Sequence, residues 1–573
     1  MKNLNKYILS LLLALFSVAG ISQEKRSATT VGKVAERLYL VTDREAYIAG
    51  ESIWVSLFCF DITKSKGTLS QISSVAYVEI QNSKGVVSTA KIHLNEGRGS
   101  GKIDLPPAIP TGSYKIVAYT KAMNNEEILN LFSKSIPVFN TLTTDRVEGN
   151  VKVTDKADQS GLNAVKIPNS SLIEVNYGSG LSVNNSYPVV VKNLSGEKMD
   201  VVVSVKRKAD LPVYVNESFS TFMSSAGWNS ANIRFTGKVT PEYEGEIVNG
   251  SVSLKVRDSV QYIAYLAAVG KEPNIYTSYV STDGKVKFFT NSIFGNREAV
   301  LEIPGADTNN VVSLILEDSF LKPNAGTFPE LLLNKSIELP LRERSIEMQL
   351  GRRFGVDTLF EMMKIRKDPL LNIQPKVYKL DDYTRFPVMQ EVVVEYIPEL
   401  RFRTIDKEVD LQVRWNDAFN STTYSRGGTL ALVDGIPVFS HKKIYNYDPL
   451  KIKTISIYGA QFLIGAVSYD GLVLFSSYKG DYPGLKLGKN VKIVDFQGVQ
   501  YPCMFSGSKV IAKENHPDLR SLLYWNPKMS VNGKGEQKFL LHTSGMPGKY
   551  MIEVVGMTEK GEVIFYSEEI EIR

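Results

Sequence analysis

Four histidines are the natural starting point for metal or acid–base chemistry in this 573-residue chain, and they fall at His93, His441, His516 and His542. They are scattered with no metal-ligand spacing, so no zinc site is expected and each is read as a surface or turn residue. Gly97-Arg98-Gly99-Ser100-Gly101-Lys102-Ile103 has the glycine content of a phosphate loop. Glu96 stands where the first glycine is required and Ile103 where Ser or Thr is required, so a glycine-rich hairpin is expected instead. No Gly-x-Ser-x-Gly elbow occurs, which removes the simplest serine-hydrolase reading. The carboxylate pairs Asp381-Asp382 and Glu242/Glu244 lie in turn-like sequence without a neighbour that would shift their acidity. No catalytic residue, cofactor or metal is therefore expected, and the chain is not expected to be an enzyme.

What remains for function is surface, and the strongest local signals are two Asp-Gly turns. Leu430 to Val433 is a short apolar run, Asp434-Gly435 supplies the positive φ of a tight hairpin, and Ile436 to Val438 returns. Asp448-Pro449 has the form of an N-cap followed by proline at the first helical position, before a strand from Thr454 to Tyr458 that ends at Gly459. Asp470-Gly471 then reads as a turn into Leu472 to Phe475. Asp434, Gly435, Asp470 and Gly471 are the candidate partner-contact residues, beside the plainer reading that both turns merely close hairpins.

The N-terminus sets an expected compartment. Lys2 and Lys6 precede the apolar run Tyr7 to Val18, and Ala19, Gly20 and Ser22 follow, which is the layout of a secretory signal peptide over residues 1–22. No cysteine follows it to carry a lipid, and no later segment has the roughly 18 consecutive apolar residues of a spanning helix, so the mature chain is expected to have no transmembrane segment of its own. Cys59 and Cys503 are too few for a disulfide framework. Cys59 shares a strand face with Ile53, Val55 and Leu57, which makes it a buried thiol. The net charge of +6 is modest, and Arg342, Arg344, Arg352 and Arg353 alternate with Glu343 and Glu347 as on a solvated helical face, so no nucleic-acid partner is expected.

Alternating strands and turn residues predict a mainly β chain of tandem β-sandwiches with one small α+β domain. The expected units cover 34–142, 171–230, 231–318, 380–485 and 495–573, with a polar linker at 145–170 and a helical bridge at 338–370. Thr42-Asp43-Arg44, Tyr47 and Gly50-Glu51 resemble the signature of the second domain of the α2-macroglobulin family, and Pro110-Thr111-Gly112-Ser113-Tyr114 through Thr120 is similar to a strand of its bacterial relatives. That resemblance implies immunoglobulin-like or macroglobulin-like sandwiches at 34–142, 171–230 and 495–573. The unit at 231–318 resembles a carboxypeptidase-regulatory or transthyretin-like module. Family members with an internal thioester carry Cys-Gly-Glu-Gln; here Lys534 precedes Gly535-Glu536-Gln537, so no thioester can form.

The ordered series from Val433-Asp434-Gly435 through the strand ending at Gly459 resembles the plug domain of TonB-dependent receptors, without any barrel following it. The resemblance implies a non-enzymatic envelope protein, periplasmic or peripheral to the outer membrane, that docks on or plugs an outer-membrane β-barrel of a transport or protein-secretion complex. The alternative is a surface or periplasmic binding or adhesion protein, or a shortened macroglobulin-like protease binder using 145–170 as its exposed segment.

Overall fold

The computed structural model describes residues 34–127, 129–143, 147–154, 167–208, 211–229, 233–237, 239–254, 260–270, 274–291, 293–305, 311–354, 360–362, 373–416, 422–425, 428–465, 467–488, 491–505 and 517–573. The signal peptide expected over 1–22 and His516 lie outside the described residues, as do most of the expected linker and the end of the expected bridge.

The chain is mainly β. The first unit is a continuous eight-stranded series in the order Glu36–Thr42, Ser52–Asp61, Arg98–Asp104, Gly85–Asn95, Val75–Asn82, Gly112–Tyr119, Phe132–Phe139 and Tyr47–Ile48. Ser52–Asp61 shows why these residues form a strand: Ile53, Val55, Leu57 and Cys59 alternate into one core, so the thiol is buried as expected. Trp54, Phe58 and Phe60 alternate onto the other face, which is buried too, against Phe219, Phe222 and Trp525 from distant parts of the chain. Tyr114 donates its hydroxyl to the carbonyl of Pro110 four residues upstream (2.8 Å), and Tyr550 does the same to Met546 (2.9 Å). These two tyrosine corners fix matching turns in two different sandwiches.

The units expected over 171–230 and 495–573 are one sandwich. Ser186–Asn193 lies between Ile173–Tyr177 and Glu536–His542, while Met199–Arg207 lies between Leu522–Val531 and Gly548–Thr558. Neither half could close a core alone: Val189, Val191, Val201, Val203 and Val205 are covered only when Leu541, Tyr550, Ile552 and Val554 arrive from the far end of the chain. The third unit is likewise completed late. Its two sheets run from Ile247 to Leu316, and the strand Lys492–Gln497 joins the outer edge of Asn296–Glu302. The fourth unit, from Lys376 to Leu485, is thus inserted in the third, and the third in the second.

The remaining segments are fastenings. Residues 147–154, expected as free linker, are tied down: Val151–Val153 pairs in parallel with Leu331–Leu333, and the buried Glu148 receives Asn82 and Lys84. The expected bridge contains the helix Glu338–Phe354, and that helix is docked at the junction of the first two units through Ile337 and Met348.

Candidate partner interface

The fourth unit is a five-stranded sheet in the order Lys376–Lys379, Ile452–Ile464, Val467–Ser477, Leu430–Val433 and Ile436–Pro437, faced by a three-stranded sheet and the helices Met389–Tyr396 and His441–Tyr445. Asp434 and Gly435 both have positive φ, 47° and 86°, and they close the Val433–Ile436 hairpin as the sequence predicts. They are nevertheless not open to a partner. Asp434 is 2 % exposed; its two carboxylate oxygens accept the backbone N–H groups of Ser477 (2.8 Å) and Tyr482 (2.7 Å), and its carbonyl accepts Gly270 N–H of the third unit (2.9 Å). A Cβ on Gly435 would stand 2.7 Å from the carbonyl oxygen of Ala268, so the turn is pressed onto that unit.

Asp470-Gly471 is not a turn. Both residues lie inside the strand Val467–Ser477, and the partner strand runs on through Gly459 to Ile464 with a bulge between Tyr458 and Gln461. The glycine is needed because a Cβ there would meet the Cβ of Val413 at 2.8 Å, not because the chain reverses. Asp470 is held by backbone bonds to Gly428 and to the indole of Trp415. The neighbours Tyr469, Leu472 and Leu474 pack with Leu430, Leu432 and Phe462 on Tyr265, Ala267 and Ile275 of the third unit, where the Tyr265 and Tyr469 hydroxyls meet at 2.7 Å. The four residues expected to contact a partner therefore secure the fourth unit to itself and to its support.

At the margin of this unit's core an aromatic cluster runs from the buried Tyr378 out to the exposed Tyr383. Tyr383 stacks at an angle between Tyr378 and Tyr396, with centroids 6.3 and 4.9 Å away, and Phe386 lies 5.6 Å from Tyr396. Tyr383 is 37 % exposed, and Val377 and Val394 are more exposed still. Charges border the cluster: Glu399 receives Lys376 and the Tyr378 hydroxyl, and Asp381 receives Arg385 and the Tyr478 hydroxyl. Those hydrogen bonds hold Asp381 below the usual carboxylate range. Every one of these partners belongs to the fourth unit. One exposed tyrosine backed by partly buried aromatic rings within a charged border has the composition of a protein-interface anchor.

The histidine expectation is corrected at one position. His441 is buried at 8 % exposure; its Nδ1 accepts Leu411 N–H (2.9 Å), and its Nε2 lies 3.1 Å from the carbonyl of Thr429. Both ring nitrogens are occupied in fastening a helix to two strands. No group of three His, Cys, Asp or Glu that could hold a metal occurs among the described residues. The glycine-rich segment is the expected hairpin, with Glu96 and Gly97 at positive φ, and Arg98 is buried over the Phe58 ring at 3.5 Å.

Two acidic expectations also change. Glu242 is 1 % exposed and joins the first and third units, receiving the Tyr77 hydroxyl (2.9 Å), Ile247 N–H (2.8 Å) and Lys121 (3.1 Å). Burial pushes its carboxyl above the usual carboxylate range against the pull of Lys121. The supposed solvated face of the helix Glu338–Phe354 is partly a buried ionic lock. Arg344 reaches Glu51 (3.0 Å), Glu347 (2.7 Å) and Ser521, Arg44 reaches Glu347 (3.5 Å), and Arg352 donates to the carbonyl of Gly50. Inside the same turn, Tyr47 hydrogen-bonds Asp43 (2.9 Å) and the Arg44 backbone. The residues Asp43 to Glu51 thus form the socket in which this helix sits, a role the sequence alone did not disclose.

Neither a family model nor a curated relative matches the chain. Among solved structures, it is similar to the alpha-2-macroglobulin of Salmonella reacted with methylamine, at 10% identity and TM-score 0.23, over 94% of this chain and 39% of that one. The native conformation of Escherichia coli alpha-2-macroglobulin gives 8% identity and TM-score 0.23, over 94% and 40%. The E. coli adhesin FdeC gives 10% and 0.14, over 49% and 64%. The chain spans about two-fifths of the length of the macroglobulins it overlays. Superpositions of this quality establish no activity for the chain, and its architecture stands on the sheets described above.

Proposed function

We propose that this chain is a non-enzymatic, exported envelope protein that presents its fourth unit to an outer-membrane β-barrel of a transport or protein-secretion complex. The observation that carries the reading is the exposed Tyr383, backed by the partly buried Phe386 and Tyr396 and the buried Tyr378, on a module that packs on the third unit through Tyr469, Leu472 and Leu474. Nested insertion supports it: both ends of the module return to its support, so it is held at two points. The barrel as partner rests on the plug-like order of motifs in the sequence. Among the described residues no helix is long and apolar enough to cross a membrane. In this reading the contact surface is centred on Tyr383 and not on Asp434-Gly435 or Asp470-Gly471.

The test is co-purification of the tagged chain with outer-membrane barrels, comparing Tyr383→Asp with Val215→Asp, an exposed position outside the fourth unit. An aromatic anchor contributes about 2 kcal/mol or more, so the first substitution should weaken recovery of the barrel by roughly 30-fold and the second should not. Equal recovery of the barrel from both rejects the aromatic cluster as the contact surface; a tagged chain recovered alone rejects barrel docking and favours the free-standing binding or adhesion protein.

A further inference from the structure

A cleft lies between the first and third units. It has a volume of about 1110 Å³ and is walled by residues 81–89 on one side, Lys492 and 494–497 on the other, and 315–320, 322–326 and Phe328 across the back. It is a wedge between two strands that run in the same direction. At its closed end they pair directly: Ile92 bridges Gln500 in parallel, Gln500 N–H donates to the Lys91 carbonyl (2.7 Å), and the Gln497 side chain spans to the Thr89 carbonyl (2.9 Å). Residues 89 and 497, like 92 and 500, keep the same offset, and the strands diverge towards Lys84 and Lys492 at the mouth.

The wedge exists because the first unit's sheet is split. Gly85–Asn95 pairs with Arg98–Asp104 only at Leu94 and Asn95. Gln500 fills the gap that follows, its side-chain amide exchanging bonds with the Lys102 N–H (3.0 Å) and carbonyl (2.7 Å) as a neighbouring strand would. A Cβ on Gly101 would stand 2.8 Å from that amide oxygen, so glycine makes room for it. The chain's own extended segment is therefore already seated in the closed part of this cleft by strand-type bonds.

The open part keeps an unused strand edge. Lys492–Gln497 is the last strand of its four-stranded sheet. The Gln497 carbonyl faces the cleft, where Lys91 donates to it at 2.8 Å, and the two-residue pleat turns the N–H and C=O groups of Asp495 and Ile493 the same way. The opposite wall cannot close the gap itself, because the strand Gly85–Asn95 is bulged between its pairs to Ile80 and Gln81. Leu316, Phe320, Val494 and Phe328 line the space and suit alternate apolar side chains.

We infer that this cleft binds an extended segment of a partner polypeptide, which adds as a further strand along Lys492–Gln497. Main-chain bonds to Ile493 and Asp495 supply the recognition, and every second side chain of the guest packs on the aromatic back wall. This inference stands independently of barrel docking.

The experiment uses the full chain and random octapeptides displayed on phage. Selected peptides should slow amide hydrogen exchange at Ile493 and Asp495, and N-methylation of alternate amides in them should weaken binding at least tenfold. Asp495→Pro, which removes a donor on an edge strand where proline is tolerated, should weaken binding by a similar factor. Indifference to N-methylation, protection confined to other segments, or failure to enrich any peptide overturns the inference. The exchange and N-methylation results decide the matter even if the proline variant does not fold.

Discussion

Asp434→Ala is the substitution that most sharply separates a structural turn from a contact residue. The carboxylate is buried and accepts two backbone N–H groups, from Ser477 at 2.8 Å and Tyr482 at 2.7 Å, within a turn at φ 47°. A hydrogen bond to a charged acceptor contributes about 1.5–3 kcal/mol, and leaving the donors unpaired in a buried site forfeits that for each. Alanine at positive φ adds about 1 kcal/mol. Non-additivity within one turn brings the expected cost to about 3–5 kcal/mol. Asp434→Asn keeps the tolerance of positive φ and one acceptor, so its cost should be about half that. Several units share this chain, so a single unfolding midpoint is a poor readout and amide exchange at Ser477 and Tyr482 is the better one. The alanine variant should exchange there roughly 100-fold faster or more, while the first unit is unchanged. Exchange within about fivefold of the parent would refute the reasoning, because about 1 kcal/mol is too little for two bonds to a buried carboxylate.

Arg344→Met should cost about 3–5 kcal/mol, because it strands two buried carboxylates. Burial would raise Glu347, but Arg344 and Arg44 hold it below its ordinary range, so its contribution is present above about pH 4.5 and lost as pH falls through its folded value. The difference between parent and variant, read as exchange in the helix Glu338–Phe354, should therefore be largest at neutral pH and shrink in acid. Glu302 is the opposite case: burial pushes its carboxyl up to about 7 against the pull of Lys443. Its protonated form is the one the fold favours, so stability is full below about pH 4.5 and declines as pH rises through about 7. Glu302→Gln should leave amide exchange in the strand Asn296–Glu302 unchanged at pH 4 and stabilise it by about 1–2 kcal/mol at pH 8, a figure already reduced for partial solvent screening. Cys59 is buried and Cys503 is pushed up to about 11 by burial, so a disulfide reagent should label neither until denaturant is added.

Local chemistry was legible where a few adjacent residues determine it. The Asp434-Gly435 hairpin, the Asp448-Pro449 cap with Asp448 accepting Leu450 N–H, and the face shared by Ile53, Val55, Leu57 and Cys59 all follow from sequence because backbone dihedrals and pleat alternation are local. Long-range closure was not. Val189 and Val201 look the same whether their sheet partners are near or beyond residue 520, so one nested sandwich reads as two. Gly471 after an aspartate has the look of a turn, and only the facing Val413 reveals that it relieves a close approach. Arg344 and Glu347, three residues apart, match a solvated helical pair, and their burial is decided by Glu51 and Ser521 from other units. The one available hint was the pair of motifs around Asp43 and Glu51, whose charges in a buried turn require partners.

The most direct test of the central claim is photo-cross-linking inside cells from benzoylphenylalanine placed at Tyr383, with Val215 as the exposed reference position. The account predicts an adduct with an outer-membrane β-barrel from position 383 and none from position 215. No barrel adduct from 383, or the same adduct from both positions, would contradict it.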